Sequence, residues 1–336
     1  MNILKGKKVF LTGGAGFIGS YIAESLLRKG ANVTVYDNFS TGLEENLERI
    51  KNKIHIIKGD ILDYDFLRKS SRNHDIISHQ AAQLEILKAM DNPVDDLKTN
   101  TIGTLNVLKA CVANHIKRFI APSSAGVYGQ AITIPETEDH PTEPQWAYGI
   151  SKLACEKYAK IFEADYGLKQ TMLRYAIVYG PREWFGRVLT IFLKRILDNE
   201  PPVIFGDGQQ VRDFIFVKDV VSFHNLCLEN NKTIGNIYNV SSGEGITIEK
   251  LANICIKVTK KKINPIFENV SEGDNSKIVL DRKRIPSELR VLLQSNELAY
   301  NHTGWRPKTS IEEGIKLQWE WLKKNKGRYD FKSIRV

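Results

Sequence analysis

No uninterrupted apolar run in the 336 residues approaches the length of about 18 that a membrane-spanning helix needs, so a membrane-embedded function is not expected. Cysteine is sparse. Cys111, Cys155, Cys227 and Cys255 lie far apart, with no CxxC pair and no histidine at metal-ligand spacing. That excludes a disulfide framework and a zinc site as expectations, leaves the thiols as reduced core residues, and gives no reason to expect a metal. The N-terminus MNILKGKKVFLTGG lacks the apolar stretch and small-residue cleavage site of a secretory leader, so a cytoplasmic protein is expected. There is no internal repeat and no low-complexity segment.

What is present is a globular composition. Hydrophobic residues make up 42% and charged residues 26%, enough to bury a large core in one big domain or two intimate ones. The formal net charge is +9, but the lysines are dispersed, with short clusters only at 257–262 and 323–328. A nucleic-acid-binding face would gather them, so no nucleic-acid partner is expected. Diffuse positive charge instead suits small anionic ligands such as phosphates and diphosphates.

Along the first half, short β-branched runs alternate with longer amphipathic stretches: KVFLT (8–12), a helix pattern through 17–29, NVTVY (32–36), IHIIK (54–58), DIISH (75–79), a helix pattern through 94–114, RFIAPSS (118–124), a helix through 147–165 and QTMLRY (170–175). This alternation predicts an α/β fold, a doubly wound parallel sheet covered on both faces. After residue 175 the regularity fails and Gly/Pro punctuation (YGPREWFG, NEPP, FGDGQQ, SSGEG) predicts a smaller α/β lobe packed at the sheet edge.

Between the first strand and helix, Gly13, Gly16 and Gly19 stand in VFLTGGAGFIGS with GxxGxxG spacing. A glycine triplet alone says little, but the strand before it and helix after it are the setting in which the first glycine makes a tight turn, the second admits a pyrophosphate and the third packs helix on strand. After the second strand comes Asp37, placed either to accept bonds from an adenosine ribose diol or to cap the next turn. Its charge would repel a 2′-phosphate, and no arginine follows closely, which favours NAD over NADP. Asp60, ending the third strand, reads equally as an adenine-edge acid or a helix N-cap.

Tyr148 and Lys152 in AYGISK share a helix face at i and i+4, where an ammonium would favour a phenolate over the ordinary tyrosine pKa of about 10. Such a pair is common by chance, as Lys157 and Tyr158 in the same helix illustrate. What gives it weight is APSSAGVYG at 121–129, where a parallel strand ends in Ser123 and Ser124 at the edge where doubly wound sheets bind ligands.

The combination TGGAGFIG, Asp37, SSAGVYG and YGISK resembles the extended short-chain dehydrogenase/reductases, in particular the NAD-dependent nucleotide-sugar epimerase/dehydratase family, and YGP (179–181), FGDGQQVRDFIFVKDV (205–220) and GWRPKTSIEEGI (304–315) resemble its later motifs. The resemblance implies a Rossmann-type NAD-binding domain over 1–175 and a nucleotide-sugar-binding lobe over 176–336, interleaved with it. It implies Tyr148 as catalytic base, Lys152 as its activator and ribose ligand, and Ser124 as the hydroxyl holding the sugar. The cofactor would be held by Gly13, Gly16, Phe17, Ile18, Gly19, Asp37, Asn38, Asp60, Ile61, Ala81, Ala82, Asn100, Tyr148 and Lys152. In the second lobe it implies Phe205 against the nucleotide base, Arg212 and Arg290 on the diphosphate, and Arg187 as a further substrate contact.

Family dehydratases carry Thr-Asp-Glu at the serine strand and the decarboxylases a Glu; this chain has Ser-Ala-Gly at 124–126, a pattern similar to the 4-epimerases. The resemblance therefore implies C4 epimerisation of a nucleoside-diphosphate sugar, a UDP-sugar, through a transient 4-keto sugar. A dehydratase, reductase or dehydrogenase on the same substrate class is the alternative within enzymes, and a cofactor-sensing regulator the alternative outside them. Three departures surround the sugar: Ile177 replaces a family asparagine, Trp146 precedes AYG where a small residue or proline is usual, and segment 81–93 carries Glu85, Leu87 and Ala89. Glu85 is either a second acid/base or a solvated helix-start glutamate. The resemblance also implies a homodimer through the helices 94–114 and 147–165.

Overall fold

A computed structural model describes residues 3–184, 186–279 and 282–329. Its strands are β1 (Lys8–Thr12), β2 (Asn32–Asp37), β3 (His55–Lys58), β4 (Ile76–His79), β5 (Arg118–Ser124), β6 (Gln170–Tyr175), β7 (Ile177–Tyr179), β8 (Val203–Phe205), β9 (Val211–Phe216), β10 (Ile237–Val240), β11 (Gly245–Thr247), β12 (Ile266–Glu268) and β13 (Val291–Leu292). Seven of them form one parallel sheet in the order β10-β6-β5-β4-β1-β2-β3. The chain winds outward from β1 to β3, then restarts at β4 on the other side of β1. That reversal opens a crevice above the carboxyl ends of β1 and β4, where such sheets take their ligands.

Alternation within the strands explains the two layers. Val9 and Leu11 of β1 point to one face and join a core with Val33, Val35 and Ile120, whereas Phe10 points to the other and packs with Tyr36, Ile77 and Phe119. Both faces are covered by helices, which is why the strands read as continuous apolar runs. The helices are α1 (Phe17–Arg28), α2 (Tyr64–Ser70), α3 (Ile86–Asp91), α4 (Pro93–Asp96), α5 (Gly103–Ala113), α6 (Ala147–Tyr166), α7 (Val188–Leu197), α8 (Val217–Glu229), α9 (Ile248–Thr259), α10 (Glu297–Thr303) and α11 (Ile311–Lys324). No helix among the described residues is long and apolar enough to cross a membrane.

Two elements, a broken helix and an added strand, were not in the sequence pattern. The helix expected over 94–114 is a succession, with α4 passing through a π-helical stretch, Leu97–Ile102, into α5. The last strand of the large sheet, β10, comes from the second half of the chain, and α8 from the same half packs on α1, so the two halves interleave.

The smaller sheet centres on β9, flanked by antiparallel β11 and parallel β13 and β7. Two acids tie this lobe together. Asp213 accepts from the N–H groups of Ser242 (2.8 Å) and Gly243 (2.9 Å), and Asp219 accepts from Lys308 and Thr309 (3.1 Å each). Below the crevice, Arg174 on β6 and Glu156 on α6 form a buried two-bond pair at 2.9 and 2.8 Å, and Arg174 also donates to Tyr128 Oη and Glu138 O. Removing one partner of such a pair strands the other charge without compensation. Arg174→Ala is expected to lower unfolding stability by about 3–5 kcal/mol, measured by denaturant titration of the holoprotein; a loss of only a few tenths would show that Glu156 does not depend on it.

Candidate active site

The crevice is built from strand ends. Gly13 directly follows β1 with φ +67°, a conformation that disfavours a side chain, and a Cβ there would lie 2.5 Å from Ala81 N. The loop can therefore touch the end of β4 only because residue 13 is glycine. Gly16 caps α1, no side chain caps that N-terminus, and its first turn holds no acid, so the backbone donors and the positive end of the helix dipole face the crevice. A Cβ on Gly19 would overlap the Gly13 carbonyl, which fixes α1 against the loop; Phe17 and Ile18 form its first turn.

Asp37 closes β2, 7% exposed, and its two oxygens accept from Ala15 N (2.9 Å) and Phe39 N (2.8 Å). Burial pushes its carboxyl up despite those two bonds. The turn-capping reading of Asp37 thus holds in the structure, and it leaves a carboxylate at the crevice rim with lone pairs to spare. Asp60 accepts from Leu62 N (2.8 Å) and from Asn38 Nδ2 (3.0 Å), joining the ends of β2 and β3, with Ile61 buried beside it.

At the end of β4, His79 is locked by its neighbours. Thr104 Oγ1 donates to Asn100 O (2.6 Å), so it must accept from His79 Nε2 (3.1 Å), and Thr12 Oγ1 then donates to Nδ1 (2.7 Å). His79 is a neutral Nε2–H tautomer, its pKa pushed down to about 3 by burial and then by the Lys152 charge. Just beyond stand the half-buried Ala81 and Ala82, and Gln83 turns into a buried network. Gln83 N donates to Asn100 Oδ1 (2.9 Å), and Asn100 Nδ2 reaches Asp96 Oδ1 (2.9 Å), Ser151 Oγ and Gln83 O (3.2 Å each). Gln83 Nε2 also donates to Asp96 Oδ1 (3.2 Å). Asn100 sits on the π-helical stretch, where the widened turn turns its amide toward α6.

Sequence reading did not find Gln83, Asp96 or His79. Asp96, 1% exposed, has its other oxygen buried without a hydrogen-bond partner, and burial raises its carboxyl while Ser151 and the Lys152 charge pull it back.

On α6, Tyr148 and Lys152 are 9% and 4% exposed, with Lys152 Nζ 5.9 Å from the centre of the Tyr148 ring. Lys152 forms no ion pair among the described residues, so a buried cation waits beside a buried phenol. Across from them β5 ends in Ser123 and Ser124. Ser124 Oγ accepts from Gly126 N (3.1 Å), leaving its own proton to donate outward. A Cβ on Gly126 would lie 3.4 Å from Ser124 Oγ and 3.9 Å from Tyr148 Cδ1, which places the hydroxyl and the ring edge around one small space. A Cβ on Gly149 would overlap the Gly126 carbonyl, so the start of α6 approaches this turn only through glycine.

The second lobe gathers arginines. Arg212 on β9 and Arg290 just before β13 are brought side by side, Arg212 Nη1 donating to Arg290 O at 3.4 Å. Each has a carboxylate partner: Arg290 bonds Asp207 twice at 2.9 Å, and Arg212 faces Glu288 at 3.4 Å. Glu288 also binds Arg284 (3.0 Å), a residue that sequence reading missed. Phe205 ends β8, and its carbonyl accepts from Gln210 Nε2 (3.3 Å). Arg187, the N-cap residue of α7, lies 5.9 Å from the centre of the Trp184 ring.

Of the departures, Ile177 pairs with Phe214 and packs on the core, and Glu85 caps the start of α3 without a side-chain bond to it. Trp146, 4% exposed, donates from Nε1 to Pro286 O at 3.1 Å, which turns it toward the second lobe rather than leaving it open at the crevice.

The residues present fit a dinucleotide: a glycine cradle with open backbone donors, a rim carboxylate at Asp37 and an unpaired buried cation at Lys152. Comparison with known proteins agrees. The model of the NAD dependent epimerase/dehydratase family matches residues 9–241. The crystal structure of UDP-glucose 4-epimerase with UDP-glucose from Thermotoga maritima superposes with a TM-score of 0.86 at 34% identity, covering 95% of this chain and 99% of that one. UDP-glucose 4-epimerase of Corynebacterium glutamicum is 31% identical over 93% of this chain and 94% of its own length. UDP-N-acetyl-alpha-D-glucosaminuronate decarboxylase of Bacillus cytotoxicus is equally similar, 31% identical over 94% of this chain and 98% of its own.

Gly13→Ala forces a Cβ against the β4 backbone at a positive φ. The variant is expected to release at least tenfold less dinucleotide on denaturation than wild type, quantified by chromatography; wild-type content would contradict the cradle.

Proposed function

The chain belongs to the NAD dependent epimerase/dehydratase family, and from that premise we propose that it is a 4-epimerase of a nucleoside-diphosphate sugar, specifically a UDP-sugar. Its cofactor is NAD. The observation that carries the reading is the small space at Gly126, bordered by Ser124 Oγ and the Tyr148 ring, with no carboxylate on the turn Ser124–Ala125–Gly126. Elimination of water or loss of CO2 asks for acids placed beside the sugar; alcohol oxidation and its reversal ask for one base and one oriented hydroxyl.

In this reaction Tyr148 takes the proton of the C4 hydroxyl and later returns it. The Lys152 ammonium stands beside the ring that takes the proton, its Nζ 5.9 Å from the ring centre. Ser124, its lone pair engaged by Gly126 N–H, donates its own proton to the C4 oxygen and holds it in line with Tyr148. The glycine cradle and Asp37 would hold NAD, which would supply the acceptor and donor of hydride. Asn38, Asp60, Ile61, Ala81, Ala82 and Asn100 form the wall behind it. Return of hydride to the opposite face requires the 4-keto sugar to turn while its diphosphate stays anchored, which is the role assigned to Arg212 and Arg290, with Phe205 at the base and Arg187 at the approach. A guanidinium suits this because it binds a phosphate through two parallel charge-assisted bonds.

We also propose a homodimer. Val94, Leu97 and Ile102 on the first helical run and Ile150, Tyr158, Ile161 and Tyr166 on α6 are large apolar side chains left exposed, Ile150 by 56%. Two such helices from each protomer would bury them as a four-helix contact. The four cysteines are buried and free, which fits the reducing cytoplasm proposed as its location.

Incubation with UDP-, GDP-, CDP- and dTDP-sugars, read by NMR, is expected to give a C4 epimer from a UDP-sugar with no net NADH; a stable keto sugar or released NADH would assign a dehydratase or dehydrogenase instead. Tyr148→Phe is expected to retain NAD and lose about 10²–10⁴-fold in kcat. For the dimer, Leu97→Asp with Ile161→Asp is expected to sediment as a monomer where wild type sediments as a dimer.

A further inference from the structure

Trp146 stands where catalytic helix and substrate lobe meet. It is the N-cap residue of α6, two positions before Tyr148, yet no side-chain bond caps the helix there. Its indole turns instead to the other lobe, donating to Pro286 O at 3.1 Å from a 4% exposed site. A buried indole N–H is satisfied by one acceptor only, so this bond fixes the ring and with it the first residue pair of α6.

Pro286 belongs to the segment that carries the arginine cluster. Two residues on one side of it is Arg284, which donates to Val270 O (2.8 Å) and binds Glu288; two residues on the other is Glu288, which faces Arg212. Arg290 follows and pairs with Asp207. A diphosphate taken by these arginines must displace their carboxylates, and the segment from 284 to 290 is the part of the lobe that such an exchange rearranges. On its opposite side the start of α6 has no slack, because Gly149 packs on the Gly126 carbonyl and Pro144 with no room for a Cβ. A shift delivered at Trp146 therefore reaches Tyr148 and the Ser124–Gly126 turn as a change in their spacing.

We propose that Trp146 is a positioning residue that couples occupation of the arginine cluster by a nucleoside diphosphate to the placement of Tyr148 against Ser124. The inference rests on the nucleotide-sugar reading of the site. It differs from a role in shaping the sugar pocket, because the ring is buried against the other lobe and acts through its N–H. It also gives the departure from the small residue or proline usual at this position a function: this chain has built a strut where those residues have none.

The test compares wild-type holoprotein with Trp146→Phe, which keeps a ring and loses the donor. NAD content and melting temperature are measured first, and both are expected to match wild type. On the epimerised UDP-sugar the variant is expected to lose about tenfold or more in kcat, as small misplacements of a reacting group do, with KM and UDP affinity changed less than about twofold. A raised KM with unchanged kcat, or no change in either, overturns the proposal. Amide hydrogen exchange of the holoprotein with UDP as probe reads the coupling without turnover. UDP is expected to protect 284–290 and 146–152 together in wild type, and only 284–290 in the variant. Protection of 284–290 alone in wild type, or of neither segment, overturns it as well. A wild type that shows joint protection yet epimerises none of the sugars supports the coupling while removing the 4-epimerase reading, so the two failures are distinct.

Discussion

The spacing of the proposed reacting groups is set by two backbones that touch. The carbonyl of Gly126, just past the end of β5, would lie 2.4 Å from a Cβ of residue 149, and α6 can start there only because Gly149 has none. Protein interiors resist compression, so a contact with no side chain in it is a stiff one. Tyr148 and Lys152 inherit their positions from that contact, and Ser124 inherits its own from the same turn through Gly126 N–H. The glycine cradle of the cofactor is built on the same device at Gly13, pressed on Ala81 N. Both halves of the chemistry are placed by missing side chains, which tolerate no substitution, rather than by hydrogen bonds, which can re-form.

A second device joins the two halves. The run from the end of β4 through Gln83, Asp96 and Asn100 to Ser151 is a chain of buried polar groups in which almost every donor and acceptor is used. Such a network costs little when satisfied and a great deal when broken, because each freed group stays buried. One Asp96 oxygen is buried without a hydrogen-bond partner, burial raises that carboxyl while the Lys152 charge pulls it back, and His79 is held neutral by burial. Among the described residues Lys152 forms no ion pair, and its Nζ stands 5.9 Å from the centre of the Tyr148 ring.

Much of this was legible in the sequence, for physical reasons. Strands β1, β5 and β6 lie at 8–12, 118–124 and 170–175 as the apolar runs require, since strands covered on both faces cannot hide their pattern. The glycine loop, the Tyr148–Lys152 pair and the serine strand end were readable because each is local and the chain order brings them to one sheet edge. The strand Ile237–Val240 was not readable, since what makes it the seventh strand is the open edge of β6, more than sixty residues earlier. The π-helical turn at Leu97–Ile102 has no apolar period of its own, and Gln83, Asp96 and Glu288 are polar residues whose meaning comes from partners far along the chain. Trp146 was visible as a departure, but its direction was not: a tryptophan beside a sugar site suggests a stacking platform, and only the carbonyl of Pro286 shows that it faces the other lobe.

The carboxylates of the second lobe bear on which substrates the proposed site would accept. Arg290 and Asp207 are both more than half exposed, so their pair is screened by water and gives way readily. Arg212 is different. Burial lowers its pKa, Glu288 partly restores it, and Glu288 in turn answers Arg284 as well. A ligand that takes Arg212 from Glu288 must bring at least as much negative charge in as compact a form, or the buried guanidinium is left worse off than before. A diphosphate meets that condition, with several charged oxygens matched to the planar donors of two arginines, and a neutral free sugar does not. Under the proposed function the acids beside the arginines would act as a filter: they would hold the cluster satisfied against weak ligands and yield to an anion that can replace both of their contacts at once.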